Sequence, residues 1–126
     1  MFVLALIISV IVPLIVILGG YIMKKHTPEE INSIIGYRTK RSMSSPEAWR
    51  FANRLCGDMW IKGGFALLIP SLALTIIICM LFNNRIGVVA SCIIELVQVA
   101  LIFLPVHYVE QQLKKKFEDN EKQNEE

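Results

Sequence analysis

Three long apolar runs divide the chain. Residues 2–23, FVLALIISVIVPLIVILGGYIM, contain no charged side chain. At ~1.5 Å of rise per residue they can cross a hydrocarbon core of about 30 Å. Residues 61–82 and 86–108 form two further runs of spanning length. Inside a bilayer a single segment satisfies its own backbone hydrogen bonds only as a helix, so the pattern predicts three transmembrane helices. No basic residue precedes the first run, its apolar stretch is long, and Lys24, Lys25 and His26 follow it. It therefore reads as a retained anchor and not as a cleaved signal peptide.

The connection between the first two runs has helical signals of its own. Thr27-Pro28-Glu29-Glu30 offers a hydroxyl cap, a proline at the first helical position and a glutamate three residues after the cap. Ile31, Ile34 and Ile35 then share a face, and Gly36 supplies a stop. A second start lies at Ser45-Pro46-Glu47, after which Trp49, Ala52, Asn53, Cys56 and Trp60 recur at helical spacing. Both stretches are expected as short interfacial amphipathic helices, with Trp49 and Trp60 at headgroup level, ring buried and N–H wet. The fold class predicted is an all-α integral membrane protein. Its parts are a first transmembrane helix (1–23), an interfacial connection (24–60), the second and third spans with a short turn (61–109), and a charged tail (110–126).

Composition agrees, with 54% hydrophobic residues among 126 and a mean hydropathy of +0.51. Charge adds an orientation. Residues 24–62 hold Lys24, Lys25, Arg38, Lys40, Arg41, Arg50, Arg54 and Lys62 against Glu29, Glu30, Glu47 and Asp58, whereas Asn83-Asn84-Arg85 carries one positive charge. Basic connections stay cytoplasmic, which puts the N-terminus outside and the tail inside a bacterial cell membrane. The tail holds six acids and four lysines. It is expected to extend the third helix and fray as a solvated end; a weak electrostatic dock for the basic connection is the alternative.

Arg38, Lys40 and Arg41 are three cations in four residues, with Thr39 and Ser42 beside them. Such a set could hold a lipid phosphate or a partner's carboxylate, or it could serve only to fix topology among anionic headgroups. Asn32, then Ile35-Gly36-Tyr37-Arg38-Thr39, Ser42-Met43, Trp49 and Ala52-Asn53 together resemble the signature of the SdpI immunity-protein family. Its members are bacterial membrane proteins, and its founding type protects a cell from a secreted peptide toxin made by its siblings. The founding member is also described as sequestering a repressor at the membrane. The resemblance implies that Asn32, Gly36, Tyr37, Arg38, Thr39, Ser42, Trp49 and Asn53 form the working part, with a peptide toxin or its membrane target as partner. Two departures stand out: Lys40 occupies a position where relatives often carry proline, and the additional N-terminal membrane segment of longer members is not expected here.

Within the apolar runs, Pro13, Pro70 and Pro105 each remove a backbone donor, freeing the carbonyls of Ser9, Ala66 and Leu101. Glu95 is the one ionisable residue deep in a span, where burial costs several kcal/mol unless it is neutral or paired. A polar cluster of Ser9, Ser71, Thr75, Ser91, Glu95 and Gln98 is predicted, either as structural hydrogen bonding between helices or as a ligand or proton site. Gly19-Gly20 and Gly63-Gly64 are expected to bring the first two helices close together.

Function divides accordingly. The resemblance favours a non-enzymatic immunity or resistance protein. The alternatives are a membrane anchor for a cytosolic regulator and a proton- or cation-coupled transport subunit using Glu95. Catalysis is not expected: no nucleophile has an evident base, no glycine loop suits a phosphate, and Glu95 and His107 stand ~18 Å apart along one helix. Cys56, Cys79 and Cys92 lack metal-ligand spacing and read as small packing residues. No metal, cofactor or nucleic-acid partner is expected; membrane lipids are.

Overall fold

A computed structural model describes residues 1–125. Every regular element among them is helical: α1 (Phe2–Lys25), α2 (Pro46–Leu81), α3 (Asn84–Leu101), α4 (Leu104–Leu113) and α5 (Asn120–Glu125), with a π-helical stretch at Lys114–Asp119. Three helices are long and apolar enough to cross a membrane. In their most apolar windows only 22%, 17% and 17% of residues are buried within the protein. Ile7, Ile15, Ile69, Met80 and Leu96 are among the side chains left facing outward, which suits lipid and not water. The chain is a multi-pass membrane protein.

Two compact units emerge. The first comprises Met1–Leu18 and Trp60–Phe103, and the second comprises Gly19–Met59 and Leu104–Glu126. In the first, Gly64 lies against Pro13 and Ile17 of α1, and Gly87 lies against Cys79, so small residues bring the helices together. Asn83 caps α3, its Oδ1 accepting from the Ile86 N–H at 3.0 Å. In the second unit the close approach belongs to Gly57, where a Cβ would stand 2.6 Å from the Gly20 carbonyl oxygen. Gly63, expected to share in such packing, has nothing within 4 Å of its Cβ position.

The interfacial connection departs from expectation. Residues 27–45 contain no helix. The Thr27 hydroxyl donates back to the Met23 carbonyl instead of capping a new helix. Asn32 Oδ1 takes the N–H groups of Ile34 and Ile35 at 3.0 and 2.8 Å, closing a local turn where helical bonds would have formed. The second start is where the sequence puts it, with Ser45 Oγ accepting from the Ala48 N–H at 3.1 Å. That helix does not end before the span: Pro46–Leu81 is one helix of 36 residues. The third run breaks after Leu101, four residues before Pro105, whose ring crowds the Leu101 carbonyl and which supplies no N–H. The tail begins as a helix, as expected, but stays helical through Glu125 where a frayed end was expected.

Candidate functional site

The motif residues meet in the second unit on one face of α2. Gly36 has φ of 113°, a backbone conformation open to glycine, and a Cβ there would lie 2.7 Å from Asn53 Oδ1 and 3.0 Å from the Trp49 ring. This close approach lets the Tyr37 N–H donate to Asn53 Oδ1 at 2.7 Å, while Asn53 Nδ2 donates to the Trp49 carbonyl at 2.8 Å. The amide of Asn53 is thereby fixed in orientation, and its side chain is fully buried. Trp49 is also fully buried, and its N–H is not the wet one expected. Its Nε1–H goes to the Pro28 carbonyl at 2.9 Å, so protein and not water satisfies the indole.

Ser42 and Thr39 tie the other end. Ser42 Oγ accepts from the Thr39 N–H at 2.8 Å and lies 2.9 Å from the Tyr37 carbonyl, to which it can donate. Thr39 Oγ1 accepts from the Ser42 N–H at 3.2 Å. Arg38 points elsewhere: it is exposed and donates to the Ser33 carbonyl. Asn32 acts through its turn, and its hydrogen bonds go to Glu30, Ile34 and Ile35 and not to the Trp49–Asn53 pair.

Arg41, Glu110 and Glu118 complete the site. The Tyr37 hydroxyl donates to Glu110 Oε1 at 2.8 Å and also lies 3.2 Å from the Val106 carbonyl. Arg41 spans two carboxylates, Nη1 to Glu110 at 3.2 Å and Nε to Glu118 at 2.7 Å. The alternative role for the tail, docking on the basic connection, is thus the arrangement found. Phe117 adds an edge contact with Phe51, ring centroids 5.8 Å apart. Burial alone would raise the Glu110 carboxyl, but hydrogen bonds from Thr39, Tyr37 and Arg41 outweigh it and hold the group below the usual carboxylate range. Burial first, then the Glu110 carboxylate, pushes the Tyr37 phenol well above its ordinary value.

The intramembrane residues lie in the first unit. Pro13 leaves the Ser9 carbonyl without a helical donor, and Ser71 Oγ supplies one at 3.0 Å. Glu95 Oε2 accepts from the Val12 N–H at 3.2 Å. Thr75, Ser91 and Gln98 are buried, but Ser91 Oγ turns back to its own helix at the Val88 carbonyl. Among the described residues, Thr75 Oγ1, Glu95 Oε1 and Gln98 Oε1 are buried without hydrogen-bond partners. The predicted six therefore share one direct bond between side chain and freed carbonyl, and no continuous network. No cluster of three or more metal-ligating side chains occurs among the described residues.

Fold and site together define a multi-pass helical membrane protein whose polar connection is fastened by side chains to the start of its second long helix. The SdpI/YfhL protein family model matches residues 29–109, a stretch that includes the whole motif. The chain belongs to this family. It is 35% identical over 80 residues to a Bacillus subtilis (strain 168) protein described as "Uncharacterized protein YfhL", covering 64% of this chain and 71% of that one. No solved structure matches the chain.

Proposed function

We propose that this chain is a membrane immunity protein of the SdpI kind, protecting a bacterial cell against a secreted membrane-active peptide toxin without a catalytic step. One observation carries the reading: six of the eight motif residues, Gly36, Tyr37, Thr39, Ser42, Trp49 and Asn53, meet in one hydrogen-bonded unit. A stretch held this tightly presents a fixed surface, with exposed Arg38 at its edge, to the toxin or to the toxin's membrane target. The distribution of basic residues supports a cytoplasmic motif and tail, with the N-terminus outside. The test is survival of a toxin-sensitive bacterium expressing the protein, beside Asn53→Ala and Arg38→Ala variants shown to reach the membrane. Protection by the wild type that both substitutions abolish is expected. A wild type that protects against no membrane-active peptide overturns the proposal.

A second reading draws support from the buried, unpartnered oxygens of Thr75, Glu95 and Gln98, which suit a proton- or cation-coupled transport subunit. Proton flux into vesicles containing the protein, absent from Glu95→Gln, is its expected result. Equal flux in the two proteins removes it.

A further inference from the structure

In the second unit, a groove of about 580 Å³ is lined by Glu47, Arg50, Phe51, Arg54, Leu55 and Lys116. Half-buried Phe51 and Leu55 give it an apolar floor, and the exposed arginines and lysine form its rim. These cations are only partly committed within the protein. Arg50 donates from Nε to the Pro46 carbonyl at 3.3 Å and reaches Glu47 only at 4.0 Å. The Lys116 ammonium sits 4.3 Å from the centre of the Phe51 ring. Arg54 makes no hydrogen bond or ion pair among the described residues. A neighbouring groove lined by Lys40, Arg41, Glu110, Glu118 and Glu121 contrasts with this one, since its acids answer its bases. Arg50 and Arg54 also border a groove that holds Glu29 and Glu30 beside Lys24 and Lys25; within the present groove, three cations face one exposed carboxylate over an aromatic floor, which suits an amphipathic anion.

The position along α2 narrows the choice. Arg50 and Arg54 are one turn apart on one face. Arg54 precedes the apolar run that opens at Ile61 by seven residues, ~10 Å of helix rise. The headgroup layer occupies roughly 5–8 Å on each side of the hydrocarbon, and long basic side chains reach along the helix toward it. Guanidinium forks match phosphate oxygens in pairs, which a lone ammonium cannot do. We propose that this groove binds an anionic phospholipid, with its phosphate among Arg50, Arg54 and Lys116, its glycerol toward Leu55 and its headgroup against Phe51, the acyl chains running inward along α2. The proposal does not depend on the immunity reading, because it concerns the membrane itself and residues outside the family motif.

The test uses the full chain in phosphatidylcholine vesicles containing spin-labelled phosphatidylglycerol or spin-labelled phosphatidylcholine, measuring the share of label immobilised on the protein. The wild type is expected to prefer phosphatidylglycerol severalfold. Arg54→Gln and Lys116→Gln should each reduce that preference by up to roughly fivefold, and together bring it near parity. Lys40→Gln, an exposed cation outside the groove, should leave the preference unchanged. A wild type without preference, or a Lys40→Gln variant that loses as much as Arg54→Gln, overturns the proposal in favour of diffuse surface charge.

Discussion

Replacing Gly36 with alanine puts a methyl group where the site has no room for one. The backbone there has φ of 113°, outside the regions open to ordinary L residues, at a cost of ~1–3 kcal/mol. The new Cβ would also stand 2.7 Å from Asn53 Oδ1, which is the acceptor for the Tyr37 N–H. Moving the amide away leaves that buried donor without its partner, worth ~1–3 kcal/mol. One backbone shift relieves part of both penalties, so the expected loss is about 2–5 kcal/mol, a large share of a typical folding free energy of ~5–15 kcal/mol. The assay is denaturant unfolding in detergent micelles, followed by near-ultraviolet circular dichroism, to which buried Trp49 contributes. Gly63→Ala is the internal comparison: its Cβ meets nothing within 4 Å in the middle of α2, so it should be neutral or stabilise by up to ~1 kcal/mol. If Gly36→Ala unfolds within ~0.5 kcal/mol of the wild type, or if Gly63→Ala loses as much as Gly36→Ala, the account of the motif's anchoring is refuted.

Ser71→Ala should destabilise the first unit by ~1 kcal/mol, and in a Pro13→Ala background, where the Ser9 carbonyl regains a helical donor, the loss should shrink; additive effects would count against the link. The Glu110 carboxyl is held low in the fold, so the unfolded chain binds more protons in acid. Stability is then fully present above ~4.3 and falls as pH drops through the folded value, and Glu110→Gln should flatten that limb of a thermal-midpoint profile. Tyr37 has the opposite sign: its contribution is present below ~10 and lost as pH rises further, and Tyr37→Phe should remove the alkaline limb. Arg41→Ala frees Glu118 and leaves Glu110 held by Tyr37 and Thr39 alone, so protease should cut the tail faster than in the wild type, with the difference shrinking at high salt; unchanged cleavage would sink that role for Arg41.

Hydropathy revealed the apolar helices because lipid leaves a spanning segment few alternatives. Proline chemistry likewise pointed to the freed Ser9 carbonyl before its partner, Ser71, was visible. The helix expected from Thr27-Pro28-Glu29-Glu30 was lost to competition from outside its window. The Pro28 carbonyl receives the indole of Trp49, 21 residues away, and Asn32 takes two amides for itself. The Trp49 N–H was expected to stay wet because amphipathic rings keep their polar edge in water, yet the connection covers the ring completely and the Pro28 carbonyl takes the N–H. Arg38 and Arg41 could not be ranked from their neighbours: both are basic and solvent-accessible by composition, and what separates them is Glu110 and Glu118, about seventy residues further on.

The π-helical stretch at Lys114–Asp119 turns those two glutamates into a pair. On an unbroken α-helix the eight steps from Glu110 to Glu118 would rotate the second carboxylate ~80° away from the first. The wider winding advances less per residue and removes much of that angle, so one guanidinium can reach both. A helical wheel drawn at the ordinary period assigns them to different sides. The information is in the segment's length: deleting a single residue between Leu113 and Phe117 would let the segment wind as an ordinary α-helix with seven steps between the acids, ~700°, and leave them on one side, so the wide winding is what accommodates the extra residue without parting the pair.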